Sequence, residues 1–493
     1  MNVKPEIDRI DVEAVNSKEK RSLYAARVKV FPKRVSGTFR TLKWWVTALT
    51  LAVYYITPWL RWDRGDFAPD QAVLVDMANR RFYFFFIQIW PQEFYYIAGL
   101  LVMAGIGLFL VTSTVGRAWC GYACPQTVWV DFFLVIERWV EGDRNARIKL
   151  DTAAWTGDKI VKRISKHALW VLIAISTGGA WIFYFADAPT LMINLVTGKA
   201  PFVAYSTIAI LTATTYIFAG FMREQVCTYM CPWPRVQGAM LDEDSLVVTY
   251  NDWRGEPRSR HRKKAIAAGQ TTGDCVDCNA CVAVCPMGID IRDGNQLECI
   301  TCALCIDACN GVMEKLGTPK SLISYTTLRD FNENASGRPT PTTWRSFIRP
   351  RTFIYIAFWA AIGFAMLFVL LNRDRMGINV LHDRNPIFVQ LADGSIRNGY
   401  TVKILNMELR PRSFRIDLKG LEGATMVMAG SDVAPSRQVS LDVPADKLRI
   451  IQVYVTASRA QMKGETTPFK LIATDIEGGE TPVYDAAFKG PDK

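Results

Sequence analysis

All twelve cysteines of this 493-residue chain fall at spacings that suit metal ligation. Eight form two runs: Cys275-x-x-Cys278-x-x-Cys281-x-x-x-Cys285-Pro286, then Cys299-x-x-Cys302-x-x-Cys305-x-x-x-Cys309-Asn310. Three closely spaced thiolates let one tight loop grip three irons of a four-iron, four-sulfur cube, while the fourth ligand arrives from a distance. In two-cluster ferredoxins that fourth Cys serves the other cube. The pattern assigns Cys275, Cys278, Cys281 and Cys309 to one [4Fe–4S] cluster. Cys299, Cys302, Cys305 and Cys285 go to the second. Zinc knuckles compete with this reading, but zinc prefers Cys pairs separated by a longer loop. Asn310 stands where the second run would carry Pro. That position shapes a turn and binds no iron, so ligation should hold while the two potentials differ.

The other four cysteines form two pairs, Cys120-Gly-Tyr122-Ala-Cys124-Pro125 and Cys227-Thr-Tyr229-Met-Cys231-Pro232. On a helix, positions i and i+4 share a face, so both sulfurs of a pair can point at one site. Pro after the second Cys disfavours helix at that Cys and suits the first position of a new helix. A helix N-terminus in turn lowers a nearby thiol's pKa. Together the four thiolates, with Met222 and Met230 near them, make a soft site for Cu(I), zinc or iron–sulfur. Two helix ends where Cys packs as a small apolar residue is the alternative.

Histidine is scarce: only His167, His261 and His382 occur. No two of them pair inside a membrane segment and no C-x-x-C-H run exists, which excludes bis-histidine membrane haem and attached c-type haem. His167 reads as an interfacial residue. The chain lacks a convincing Gly-rich nucleotide loop, which argues against flavin or NAD. No catalytic residue is assigned.

These motifs need elements to hold them. Five apolar segments are long enough to span a bilayer, near residues 42–60, 94–115, 168–186, 202–222 and 352–371. Trp44, Trp45, Trp59, Tyr95, Trp170 and Tyr355 stand near their ends, as interfacial aromatics do. The apolar run 82–90 is too short to span and is expected at the membrane surface. Residues 1–43 carry eleven Lys or Arg, and 117–167 and 223–351 are rich in both, while 61–93 and 187–201 are poor. The positive-inside rule then puts the N-terminus in the cytoplasm and the C-terminus in the periplasm of a bacterial inner membrane. All twelve cysteines fall on the reducing side. The net charge of +11 is thus a topology signal; no nucleic-acid-binding module accompanies it.

The spans hold an internal repeat, each of the first two pairs ending in C-x-Y-x-C-P after an Arg, Arg117 or Arg223. The stretch 126–144 reads as an amphipathic helix on the inner surface. From about residue 377 short alternating runs (400–407, 413–418, 449–456 and 469–476) read as half-buried strands. They are separated by turns such as 392–394 and 478–479, and suit an immunoglobulin-like sandwich without its Cys pair. The expected order is a basic tail at 1–41 and a four-helix membrane domain at 42–253. A two-cluster ferredoxin-type domain at 254–322 follows, then a return linker and fifth span at 323–371, and an all-β immunoglobulin-like domain at 372–493.

This combination resembles the cytochrome c oxidase accessory proteins of the CcoG/FixG/RdxA family across nearly the whole chain. More distantly, the membrane and cluster parts are similar to NapH and NosR. The family resemblance implies a cupric reductase that turns Cu(II) into Cu(I) for assembly of cbb3-type oxidase. Its implied partners are a copper transporter or chaperone and oxidase subunits, with membrane lipid around it. Cys120, Cys124, Cys227 and Cys231 would then be the copper site. A quinol-linked conduit without copper and a non-catalytic assembly scaffold are the competing functions. Arg254, Arg258, Arg260, Arg262, Lys263 and Lys264 could equally dock an acidic cytoplasmic electron donor or serve as topology signals. The donor's identity is open, and so is oligomeric state, a homodimer included.

Overall fold

The computed structural model describes residues 9–16, 28–66, 68–338, 340–343, 348–431, 433–462 and 464–491. Parts of the basic N-terminal tail therefore lie outside the described residues. The chain divides into two compact units, Met1–Leu60 with Ala72–Met366, and Arg61–Gln71 with Leu367–Lys493.

In the first unit, helix α1 (Thr38–Ile56) is followed by a small antiparallel sheet, β1 (Val73–Asp76), β2 (Arg81–Phe84) and β3 (Ile87–Ile89). The apolar run 82–90 forms two strands of this sheet. Phe85 at positive φ turns the chain between them, and Tyr83 is buried. Helix α2 (Tyr95–Val115), short α3 (Ala118–Tyr122), α4 (Pro125–Glu141), α5 (Arg144–Thr152), α6 (Gly157–Ile182), α7 (Ala188–Val196) and α8 (Phe202–Thr215) follow. Helix α8 runs on as a wider π-type coil, Tyr216–Met222, and a second π turn, Val226–Met230, precedes α9 (Trp233–Met240).

Among the described residues, three helical stretches are long and apolar enough to cross a membrane: Pro91–Val115, Phe202–Met222 and Pro350–Leu371. Almost none of their surface is buried within the protein, which water would penalise and lipid would not. The other two expected spans also fall on helices, α1 and α6. Both carry charge in their early turns, Arg40 and Lys43 on α1 and Lys159 to Lys166 on α6.

Helix α4 lies at the centre of a buried ion-pair network. Asp131 accepts from Arg40 at 2.9 Å with Lys43 at 3.8 Å. Glu137 pairs with Arg147 and Arg223, and Glu141 with Arg163 at 3.0 Å and Lys166 at 2.9 Å. Burial pushes the Asp131 carboxyl up, but Lys43 and Arg40 outweigh it and hold it below its ordinary range. The polar face of this amphipathic helix therefore anchors neighbouring helices. Its apolar face stacks Phe133 on Trp170, centroids 5.1 Å apart.

Strand β4 (Leu246–Tyr250) pairs antiparallel with β5 (Ile323–Thr327), so the chain enters and leaves the cysteine-rich region side by side. Between them lie α10 (Asp252–Gly255), α11 (Arg262–Ala267), α12 (Ala280–Val284) and α13 (Leu304–Leu316). Helix α14 (Leu328–Ala335) and the long α15 (Pro350–Leu371) follow β5.

The second unit holds two antiparallel sheets of alternating residues. One runs β10 (Thr425–Met428), β12 (Lys447–Ala457), β8 (Ile396–Asn406), β6 (Met376–His382), with β7 (Val389–Gln390) also on β8. The other runs β11 (Gln438–Val443), β9 (Arg412–Lys419), β13 (Thr466–Asp475), β14 (Val483–Lys489). Val402, Ile404, Phe414, Ile416, Val453 and Leu471 fill the core between them. The sheets are also pinned by polar bonds. Tyr400 donates to the Ala487 carbonyl at 2.7 Å, and Asn398 bonds both backbone groups of Lys489 at 2.8 Å.

Candidate electron-transfer site

The two ferredoxin-type runs fold as near copies. Asp277 and Asn279 in the first, and Thr301 and Ala303 in the second, all take positive φ, between 50° and 60°. Left-handed turns at non-glycine residues are costly and cluster at functional sites. Here they coil each loop tightly and lead into α12 and α13. Both loops aim backbone N–H groups at sulfur: Ala280 at Cys278 and Thr301 at Cys299.

The eight sulfurs sort into two neighbourhoods. Cys281 has Cys309 and Cys278 as electrostatic neighbours, and Cys309 has Cys278 and Cys275. Cys285 has Cys302 and Cys299; Cys305 has these three and, more weakly, Cys281. Helix α13 therefore sends Cys305 to one group and Cys309 to the other, although they are one turn apart. A cavity is lined by Cys285, Cys299, Cys302 and Cys305, with Cys281 of the other group also on its wall and apolar Met287, Ile289, Ile300 and Leu304 around it. Burial pushes the thiols of Cys285 and Cys309 up to about 12 and that of Cys299 to about 11. Binding metal at such sites releases protons. Four thiols per group, a sulfur-lined cavity and N–H donors to sulfur fit four-iron clusters.

The C-x-x-x-C-P pairs lie at two equivalent breaks in the helices. Gly116 (φ 63°, ψ −139°) ends α2, and Arg223 (φ 43°, ψ −112°) ends the π-type coil after α8. Each break stands four residues before its first Cys, so the repeat aligns Arg223 with Gly116 instead of with Arg117. A β-carbon on Gly116 would come 2.1 Å from the Leu246 carbonyl oxygen, so only glycine fits there. The spans thus end well before the Pro. Cys120 sits on α3 and Cys124 caps α4, while Cys227 lies in the second π turn and Cys231 ends it.

All four of these cysteines share one electrostatic neighbourhood, Cys227 feeling Cys124, Cys120 and Cys231. Burial raises Cys120 to about 11, with Arg117 pulling the other way, and Cys227 to about 12. Among the described residues, no three His, Cys, Asp or Glu side chains converge as they would on one bound ion.

Several residues that the spacing did not single out join this site to the cluster loops. Cys120 and Cys227 pack against the apolar group that contains Cys302 and Leu304. The Tyr122 hydroxyl donates to the Cys302 carbonyl at 3.3 Å. Arg117 bonds the Leu297 carbonyl, and its charge favours the thiolates of both Cys120 and Cys299. The Cys120 thiol donates to Gln237 Oε1 at 3.0 Å, and fully buried Gln237 donates to Thr112 at 3.2 Å. Asp307, between Cys305 and Cys309, accepts from the backbone N–H groups of Phe39 and Arg40 and so caps α1. In the sequence Arg117 and Tyr122 show only as parts of the repeat, and Gly121 differs from its counterpart in the second pair, Thr228.

Three of the basic residues beside the cysteine loops, Arg254, Arg260 and Arg262, are engaged internally. Arg254 and Arg262 hold Asp274 at 2.7 and 2.8 Å, and Arg260 holds Asp277 at 2.8 Å. His167 stacks on Phe221 and bonds the Tyr216 hydroxyl at 3.0 Å.

Residues 222–328 match the family described as "4Fe-4S dicluster domain", and 97–141 match "4Fe-4S binding domain". Residues 366–491 match the "IG-like fold at C-terminal of FixG". The chain is 60% identical to "Nitrogen fixation protein FixG" of Rhizobium meliloti, over 99% of this chain and 98% of that protein. The chain belongs to the FixG family. Two further FixG relatives come from Cereibacter sphaeroides, "Protein RdxB" at 53% and "Protein RdxA" at 50% identity, each over 95% of this chain and 98% of the relative. A crystal structure of a FixG-related protein from Vibrio parahaemolyticus aligns with 24% of this chain and 96% of its own, at 22% identity and TM-score 0.20. As a FixG-family member the chain is an iron–sulfur protein with membrane-length helices and an immunoglobulin-like C-terminal domain.

Proposed function

We propose that this protein carries electrons from two [4Fe–4S] clusters to the four-sulfur site of Cys120, Cys124, Cys227 and Cys231, where Cu(II) is reduced to Cu(I). The observation that carries the reading is the contact of Gly121 and Tyr122, inside the first pair, with the Ile300–Cys302 loop. Cys275, Cys278, Cys281 and Cys309 hold one cluster, and Cys299, Cys302, Cys305 and Cys285 the other, in agreement with the two sulfur neighbourhoods. When bound, the clusters supply single electrons. Arg117 offsets negative charge between the two sites, and the apolar surround of Cys302 keeps water from the interval. Thiolates stabilise Cu(I) over Cu(II), so the soft site favours the reduced ion. The reading requires the four side chains to close on copper as it binds. Five spans, with the cysteines in the cytoplasm and the sandwich in the periplasm, complete the proposed arrangement. Oxidase assembly would be the destination of the copper.

A second reading has its own support, because the match at 97–141, which includes Cys120 and Cys124, is described as 4Fe-4S binding. On it the four sulfurs hold iron, and the chain is a conduit without copper. Metal analysis of anaerobically purified protein separates them. The copper reading expects about eight irons per chain with copper taken up on titration; the conduit expects about twelve and no copper uptake.

A further inference from the structure

A second site lies away from the cysteines. A cavity of about 1190 Å³ in the first unit runs beside α6, with α4, α5, the π-type coil and Lys29–Phe31 forming its other walls. Its charges do not balance. Glu137 pairs with Arg147 and Arg223, Glu141 with Arg163 and Lys166, and Asp151 with Lys29 at 3.0 Å and Arg163 at 2.7 Å. Lys159 adds a further cation whose ammonium rests on the carbonyls of Asp151 and Ala153. Among the described residues that line it, six cations therefore face three carboxylates.

Arg147 makes the imbalance local. It is 2% exposed, and its guanidinium lies over the Phe31 ring. One nitrogen bonds Glu137, while Nε and Nη1 have no partner. Buried donors left without an acceptor are expensive, and an incoming anion would satisfy them.

The wall also changes polarity along its length. Lys159, Arg163 and Lys166 occupy the early turns of α6, and Val171 and Leu172 lie further on. At 1.5 Å per residue the lined stretch is about 20 Å long. Ile164 and Leu172 on this wall are 63% and 61% exposed. We propose that the cavity binds an anionic membrane phospholipid, its phosphate at Arg147 and Lys159 and an acyl chain along Ile164 and Leu172. Basic pockets between membrane helices take such headgroups. A neutral quinone would leave the three surplus charges uncompensated. The proposal does not rest on the reading of the cysteines.

The test uses delipidated full-length protein with its clusters, and follows displacement of fluorescent phosphatidylglycerol in detergent. Phosphatidylglycerol should bind at least about tenfold tighter than phosphatidylcholine, a difference of about 1.4 kcal/mol. Arg147→Gln should erase that preference while iron content stays unchanged. Ile164→Glu, at an exposed lip position outside the ion-pair network, should weaken phosphatidylglycerol binding even if Arg147→Gln proves unstable. Equal affinity for the two lipids overturns the proposal. So does displacement by inorganic phosphate alone, which would make this a free-anion site, or displacement by a neutral quinone.

Discussion

Gly121 lies so close to the Ile300 carbonyl oxygen that a β-carbon on it would stand 2.6 Å away, with the Cys302 backbone at 3.0 Å. The middle of the first C-x-x-x-C pair is therefore seated on the loop that bears the second group of cluster cysteines. Gly121→Ala forces that loop to move by several tenths of an ångström. The iron–sulfur signal assigned to Cys299, Cys302, Cys305 and Cys285 should weaken or broaden in EPR, and the other should persist. Equal loss of both signals would indicate general unfolding instead.

Cys285 follows the first run in sequence but has Cys302 and Cys299 as its sulfur neighbours. Cys285→Ser should damage the cluster of the second run and spare that of Cys275, Cys278 and Cys281. EPR of the dithionite-reduced variant distinguishes the two. Selective loss of the first-run signal would refute the crossed assignment.

Asp242 ties the loop after α9 to the start of α15, accepting from Arg349 at 2.6 Å and Arg351 at 2.8 Å. Burial raises its pKa, but Arg349, Ser245 and Arg351 outweigh this and hold it at about 2, below the ordinary 3.8. A depressed carboxylate stabilises the fold above its ordinary pKa, and that stability fades as pH falls through the folded value. Between about pH 4 and pH 2, Tm should fall less steeply in Asp242→Asn than in the unaltered protein. Parallel slopes would mean that the ion pairs contribute nothing.

Asn398 is fully buried and satisfies both backbone groups of Lys489 across the sandwich. Asn398→Ala leaves them unpaired, and should cost about 1–3 kcal/mol in the unfolding of this unit. Calorimetry of the full chain should show one transition lowered while cluster absorbance is retained.

The ferredoxin-type region and the strands were legible because their signals are local. Cysteine spacing marked the iron–sulfur domain, and alternation placed β8, β9, β12 and β13 within a few residues. What spacing did not reveal was non-local. The strands β2 and β3 within the apolar run 82–90 escape notice because their partner strand, Val73–Asp76, lies upstream. An Arg precedes each C-x-Y-x-C-P run, but the backbone break that the two halves share falls at Gly116 and Arg223, which the arginines do not mark. Asp307, Gln237 and Arg117 act through contacts to residues more than a hundred positions away, for which spacing gives no sign.

The central claim is that electrons reach copper at Cys120, Cys124, Cys227 and Cys231. The most direct measurement adds Cu(II) to anaerobically reduced protein and follows the Cu(II) EPR signal, comparing the unaltered chain with a Cys124→Ser, Cys231→Ser double variant. The account predicts rapid loss of the signal with copper retained in the unaltered protein. In the variant it predicts unchanged iron content, with copper retention and reduction both greatly diminished. A variant that keeps its iron and still binds and reduces copper at the original rate would contradict it.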